Sequence, residues 1–312
     1  MSGEGEVVSV VKIWSLKLIS LSFLSLTFLF ICVFFPYPSF LIPHAYAKVP
    51  RLILAGSTTM LPLSEHLATN YRKRVMADVL VQGGGSSAGV NAVLNNVAQI
   101  AASSRKLTKE EQEKLKPIVV ARDALAIVVH SSNPIKNITL DELRDVLSGK
   151  IKNWKELGVP FDKPIQLVND STGAGTRAAM EELVMGKSKE HGIKGTPITL
   201  MSVVVNSSSE MKANIANFKY ALGYLPFSYL DNTVKAVPIN NVLPSYAATY
   251  RDKYPLFRDL YYAIKKDASG LELAYIYYVL SPEGQDIVVQ EGFLPIKLIT
   301  SVEELFKIMA GQ

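Results

Sequence analysis

The chain has 312 residues, a formal net charge of +5 and one cysteine. The modest positive excess suits an anionic ligand. Nucleic-acid binding would need a concentrated basic stripe, and Tyr71-Arg72-Lys73-Arg74 is a short run that reads as a solvated helix face. With Cys32 alone, and near the N-terminus, a disulfide framework and a cysteine nucleophile in the folded part are both excluded.

Lys12 and Lys17 precede an uncharged apolar stretch from Leu18 to Pro43, and Ala45-Tyr46-Ala47 then forms an A-x-A pattern. The spacing predicts a secretory signal cleaved after Ala47, residues 1–47. The stretch is long enough to span a bilayer, so an uncleaved N-terminal membrane anchor is the alternative. Cys32 follows bulky Phe30 and Ile31, which argues against a lipid-anchored cysteine. Either route exports the protein. About 265 residues follow, ample for a large core and more typical of two domains than one.

Strand and helix patterns alternate, which makes this an α/β chain. Leu52 to Ala55 reads as a strand, and Pro62 to Arg74 as a helix with Leu63, Leu67 and Tyr71 at spacing four. Leu80 to Gln82 is a strand, Ala88 to Val97 a helix and Gln99 to Ser103 a short buried run. Thr108 and Thr139 open capping boxes, the second starting a helix over Leu140 to Leu147 that Ser148-Gly149-Lys150 stops. Between them Ala124 to Val129 is an apolar strand. Ile165 to Val168 is a strand, Arg177 to Met185 a helix, Val203 to Val205 a strand, Ser208 to Phe218 a helix and Ala221 to Pro226 a strand. Asn240 to Ala248 reads as a polar loop and Tyr254 to Ile264 as an extended aromatic segment. Ser281-Pro282 opens a last helix, with serine as cap and proline at the first helical position.

One design recurs three times. Leu52-Ile53-Leu54-Ala55-Gly56-Ser57-Thr58-Thr59 is a strand, a Gly/Ser/Thr loop and then a helix. So is Val79-Leu80-Val81-Gln82-Gly83-Gly84-Gly85-Ser86-Ser87-Ala88-Gly89. So is Ile165 to Asp170 followed by Ser171-Thr172-Gly173-Ala174-Gly175-Thr176-Arg177. Each offers unpaired N–H groups and the positive end of a helix, an anion cradle. Two enzyme-like patterns overlap the second loop. Gly83-x-Gly85-x-x-Ala88 fits a dinucleotide fingerprint, but no acidic residue ends a second strand at the right distance. Gly85-Ser86-Ser87-Ala88-Gly89 fits a nucleophile elbow, which keeps a secreted serine hydrolase using Ser87 as the alternative from another class. Such an enzyme needs a late histidine, and those after residue 47 are His66, His130 and His191. No clustered His, Cys or Asp spacing suggests a metal.

The three loops, in this order, resemble the ligand loops of the phosphate-binding proteins that feed the phosphate ABC importer. Leu147-Ser148-Gly149-Lys150-Ile151-Lys152-Asn153-Trp154, Ala221-Leu222-Gly223-Tyr224, Tyr254-Pro255-Leu256-Phe257-Arg258 and Leu280-Ser281-Pro282-Glu283-Gly284-Gln285 extend the resemblance over Arg51 to Ile296. It implies a two-domain clamshell of the type II solute-binding class, each domain a mixed, mostly parallel sheet flanked by helices. Residues 48–123 plus 258–312 would form domain I and 124–257 domain II, with the ligand between them. It also implies a non-enzymatic protein without a cofactor, monomeric, whose partners are inorganic phosphate and the importer's permease subunits.

Carried over loop by loop, the resemblance implies a site made of Ser57, Thr58, Thr59, Ser86, Ser87, Gly173, Ala174, Gly175 and Thr176, with hydroxyls and backbone N–H groups replacing the anion's water. Each hydrogen bond to a charged acceptor contributes roughly 1.5–3 kcal/mol net. Family members commonly add an acid and an arginine. Here the acidic position is Ser104 and the arginine position is Asp170. The expectation is an exchange of roles: Asp170 takes the ligand's proton, and Arg105 or Arg177 supplies the positive charge. Sulfate has no proton to give, so a buried carboxylate would reject it. Because of this departure, another tetrahedral oxyanion (sulfate, arsenate or tungstate) is the alternative ligand.

Overall fold

The computed structural model describes residues 49–186, 194–251, 253–296 and 307. The expected signal segment, Cys32 and His191 lie outside the described residues. All that follows concerns the unit Val49–Gln312.

The elements run β1 (Arg51–Gly56), α1 (Leu61–Arg72), β2 (Asp78–Gln82), α2 (Ser86–Leu94), β3 (Ile100–Ser103), α3 (Lys109–Lys114) and β4 (Leu115–His130). Then come α4 (Leu140–Ser148), β5 (Gln166–Asp170), α5 (Gly175–Leu183), β6 (Val203–Val205), α6 (Ser208–Asn217), β7 (Ala221–Pro226) and β8 (Val234–Val237). The chain continues through α7 (Tyr246–Tyr250), β9 (Phe257–Lys265), α8 (Leu271–Leu280) and α9 (Pro282–Gln290). The hydrogen-bonded strand path is β2-β1-β3-β9-β4-β7-β5-β6, with β8 added to β4. Each end is a parallel set: β1 between β2 and β3, and β5 between β6 and β7. The middle is antiparallel. β4 pairs with β9 from Leu115 to Ala124, then with β7 from Leu125 to Val129 and with β8 from Ile127 to His130.

The cores follow this change of partner. One cluster of buried side chains draws only on residues from Ala124 to Leu256, around Val128, Trp154, Met180 and Tyr224. The others draw on residues from Leu52 to Ala121 and from Leu260 to Phe293. Trp154 is fully buried in the first cluster, and its Nε1 donates to the Tyr220 carbonyl at 3.0 Å, an anchoring role. Thr108 and Thr139 both close complete capping boxes, and Ser281 Oγ accepts from the Gly284 N–H ahead of Pro282. Among the described residues no helix is long and apolar enough to cross a membrane.

Three segments correct the expected elements. β4 begins at Leu115, nine residues before the apolar run, because Lys116, Pro117, Arg122 and Asp123 hide the strand and its register shifts between Val119 and Ala121. The loop expected over Asn240 to Ala248 gives way to α7 from Tyr246, capped by Ser245. Helix α8, Leu-Glu-Leu-Ala-Tyr-Ile-Tyr-Tyr-Val-Leu, is apolar nearly all round, so no 3.6-residue period marks it; it is buried against the Leu52–Phe293 core.

The packing of α2 on β1 depends on Gly89. A Cβ there would lie 2.3 Å from the Ala55 carbonyl oxygen and 2.5 Å from Gly56 Cα, and neither backbone atom can yield. Gly89→Ala is expected to destabilise the fold by about 1–3 kcal/mol. An unchanged urea midpoint would show that α2 is not seated on β1 in this way.

Candidate functional site

The ends of β1, β2, β3 and β5 and the N-termini of α2 and α5 converge. β2 runs into Gly84 and Gly85, whose φ values of +129° and +96° are open to glycine and strained for other residues. This turn aims α2 with Ser86 as its first residue. β5 ends at Asp170, and α5 starts at Gly175. Gly175 must lack a side chain: a Cβ would lie 2.1 Å from Ser104 Oγ and 2.3 Å from Ser86 Oγ.

The result is two groups of bonded, buried hydroxyls. Ser57 Oγ donates to Ser104 Oγ at 3.0 Å, and Ser104 Oγ meets Ser86 Oγ at 3.2 Å. The Ser104 N–H donates to Ser86 Oγ at 3.0 Å. Thr59 Oγ1 and Thr176 Oγ1 are 3.0 Å apart, joining residues 117 positions apart in the chain. All five side chains are less than 4% exposed. The Ser87 N–H donates to the Gly173 carbonyl at 3.3 Å, and Tyr229 Oη donates to the Thr58 carbonyl at 3.0 Å. Gly173, Ala174 and Gly175 lie on the turn that enters α5. The sequence-predicted residues are thus brought together, Thr58 through its backbone.

Arg105 and Arg177, expected to supply positive charge, both lie beside the hydroxyl groups. Arg105 forks onto Glu111, Nη1 to Oε2 and Nη2 to Oε1, both at 2.8 Å, and its Nη2 also donates to Ser87 Oγ at 3.2 Å. Arg177 donates from Nε to Glu181 Oε1 at 3.2 Å and from Nη1 to the Asp170 backbone carbonyl at 3.0 Å. Each of these arginines has an acidic partner close by. A third guanidinium, which sequence reasoning missed, lies beneath the hydroxyls. Arg258 is buried and donates to Asp123 Oδ2 from Nε at 3.2 Å and from Nη2 at 2.9 Å. Its Nη1 also donates to the Ser104 carbonyl at 3.1 Å, and its Nη2 to Thr59 Oγ1 at 3.3 Å. The motif Tyr254 to Arg258 marks the segment, but nothing in the local sequence says where the fork points.

Asp170 is 4% exposed. Burial pushes its pKa up to about 7, against the pull of Arg258 and then of Arg177, with Glu210 adding a smaller push. Its N–H donates to Tyr224 Oη at 3.2 Å, and that phenol donates to Asn169 Oδ1. Asp123 is pushed up to about 6 by burial, opposed by Arg258 and by the Phe227 N–H.

Among the described residues, neither histidine bonds to Ser87. His66 Nδ1 is bonded to Glu291 at 2.7 Å and His130 Nδ1 to Ser132 at 2.8 Å, while Ser87 is held by Arg105. Among the described residues no group of three or more His, Cys, Asp or Glu side chains could hold a metal ion.

A family model described as PBP superfamily domain matches residues 44–283. The phosphate-binding protein PstS of Borreliella burgdorferi is 31% identical over 78% of this chain and 89% of its own length. The protein of the same name from Bacillus subtilis is 34% identical over 78% of this chain and 80% of its own length. Among solved structures, a phosphate ABC transporter substrate-binding protein from Clostridium perfringens, with bound phosphate, is 33% identical at a TM-score of 0.73, covering 79% of this chain and 100% of that one. An ABC-type phosphate transport receptor from Vibrio cholerae is 30% identical at a TM-score of 0.67, covering 78% and 100%. With its mixed, helix-flanked sheet and its three hydroxyl-bearing loops, this chain belongs to the PstS family of phosphate-binding proteins within the PBP superfamily, a family of solute-binding proteins and not of enzymes.

Proposed function

We propose that this chain is an extracytoplasmic receptor that captures inorganic phosphate and hands it to the permease subunits of an ABC importer. The observation that carries the reading is the buried set of hydroxyls at Ser57, Thr59, Ser86, Ser104 and Thr176, gathered at the N-termini of α2 and α5 beside the protonatable Asp170. A dehydrated tetrahedral anion needs many short donors converging from several directions. Hydroxyls that bond one another can rotate to serve it, and two helix ends add N–H groups and favourable dipoles.

The two cores support a clamshell with one lobe of residues 48–123 plus 258–312 and another of 124–257. In that reading β4 and β9 form the hinge, and Thr59 and Thr176 are a cross-lobe contact. The ligand-binding residues are Ser57, Thr58, Thr59, Ser86, Ser87, Ser104 and the Asp170 loop through Thr176, with Arg105 and Arg177 bracing Ser87 and the Asp170 backbone. The chain works as an exported monomer, and the outer rims of both lobes meet the permease.

Asp170 is the selectivity element. Its carboxylate accepts the proton that phosphate carries and sulfate lacks, and a buried carboxylate facing sulfate would be left unpaired. Titration calorimetry on the full chain, refolded from denaturant to remove retained ligand, is expected to give phosphate heat and none with sulfate. Asp170→Asn is expected to lose about tenfold or more in the phosphate-to-sulfate ratio. Phosphate binding with unaltered sulfate rejection in that variant would end the Asp170 assignment. Tighter sulfate or tungstate binding by the parent protein would change the ligand, and no anion binding would end the receptor reading.

The same carboxylate makes stability depend on pH. Its native pKa of about 7 lies above the ordinary carboxylate value, so across that interval the folded chain holds a proton the unfolded chain has released. Stability is therefore expected to fall as pH rises from about 4 to about 7, with Asp123 adding the same trend up to about 6. Urea midpoints at pH 5 and pH 8 measure the slope. Asp170→Asn should flatten it, and an equal slope in the variant would show that Asp170 titrates normally.

A further inference from the structure

β4 and β9 carry two cross-strand ion pairs on successive rungs. Asp123 stands opposite Arg258, and Arg122 stands opposite Asp259. Successive residues of a strand point to opposite faces. One pair, Arg258–Asp123, is therefore buried under the hydroxyl set, and the other, Arg122–Asp259, is exposed at 38% and 31%.

We infer that Arg258, held by Asp123, is the positioning residue of the anion site: it turns the Thr59 hydroxyl into a proton donor and pins the Ser104 loop. The inference rests on the phosphate reading above. A guanidinium only donates. Thr59 Oγ1 accepts from Arg258 Nη2 at 3.3 Å, so its single proton is directed elsewhere, and its other neighbour is Thr176 Oγ1 at 3.0 Å. An anion entering between these two threonines meets a hydroxyl already oriented to give a hydrogen bond. Arg258 Nη1 simultaneously holds the carbonyl of Ser104, whose N–H and Oγ both meet Ser86. Among the described arginines only Arg258 bonds to two of the site loops: Arg105 reaches Ser87, and Arg177 reaches the Asp170 carbonyl. Asp123 fixes the fork by taking both Nε and Nη2 on one oxygen. The same pair ties together the two strands that pass between the cores, so a change in their crossing is transmitted to the Thr59 and Ser104 loops.

The test is calorimetry with inorganic phosphate on the full chain, from pH 5 to pH 8, with thermal unfolding in parallel. Arg258→Lys keeps the charge but cannot serve Asp123, Ser104 and Thr59 together. It is expected to weaken phosphate binding by about tenfold or more. Arg122→Gln cuts the neighbouring pair on the opposite face and is expected to stay within about twofold of the parent. The groups that face the Asp170 carboxylate are Arg258 from β9, Arg177 from α5, Glu210 from α6 and Tyr224 from β7. Arg258→Gln removes the strongest opposing charge, so the pH at which phosphate affinity changes should move upward; Arg258→Lys should restore it. A residue with only a structural role would lower the melting temperature and leave this profile in place.

Folded Arg258→Lys with an unchanged Kd would overturn the inference, as would an unshifted profile in Arg258→Gln. Should Arg258→Gln not fold, a cycle of Arg258→Lys with Thr59→Val decides. Losses that fall short of multiplying support action through Thr59, and losses that multiply overturn it. If the parent protein binds phosphate and Arg258→Lys binds it equally, this inference alone fails. If the parent binds none, both readings fail.

Discussion

The antiparallel pairing of β4 with β9 is the constraint on which the rest of the molecule depends. β4 belongs to one set of strands up to Ala124 and to another from Leu125 onward. The buried side chains divide at the same point in the chain. Each parallel set needs helices on its faces to bury its apolar residues, and the helices that follow β2 and β5 direct their N-termini toward the middle. A site at the meeting of these elements is a product of the topology, since parallel strands send their C-terminal ends, and the loops that follow them, to one edge.

The hydroxyls gathered here find partners within the protein. Ser57, Ser104 and Ser86 bond in one group and Thr59 and Thr176 in another, which offsets the desolvation cost that five isolated buried hydroxyls would carry. Glycine at 175 makes this closeness achievable, because any side chain would occupy the space of Ser86 and Ser104. Charges near the set follow the same rule. Arg105 is matched by Glu111, Arg177 by Glu181 and Arg258 by Asp123. Asp170 is a buried carboxyl whose pKa is raised by that burial, against the pull of Arg258 and Arg177.

The loops bring together buried hydroxyls at Ser57, Ser86, Ser104, Thr59 and Thr176 and the buried carboxyl of Asp170. Positive potential comes from guanidiniums already engaged with carboxylates. Such pairs retain directional N–H groups for fixing a loop or orienting a hydroxyl, while their net charge is small.

Local chemistry was enough to determine most of the elements and the anion loops. Capping boxes at Thr108 and Thr139, the Ser281-Pro282 start and the glycines at 84 and 85 act within a few residues, so they were legible in order along the chain. The Gly/Ser/Thr loops were visible for the same reason: a strand, a tight turn and a helix start are local events. Helix α8 was hidden because a helix apolar nearly all round shows no period, and the first half of β4 because charged residues in a strand look like a loop. The partner of each charge was decided by tertiary structure alone. Asp123 and Arg258 are 135 positions apart and meet only through strand register, and Arg177 meets the carbonyl of Asp170 in place of its carboxylate. Side-chain direction at long range depends on how sheets register and pack, and a linear sequence carries residue types without those angles.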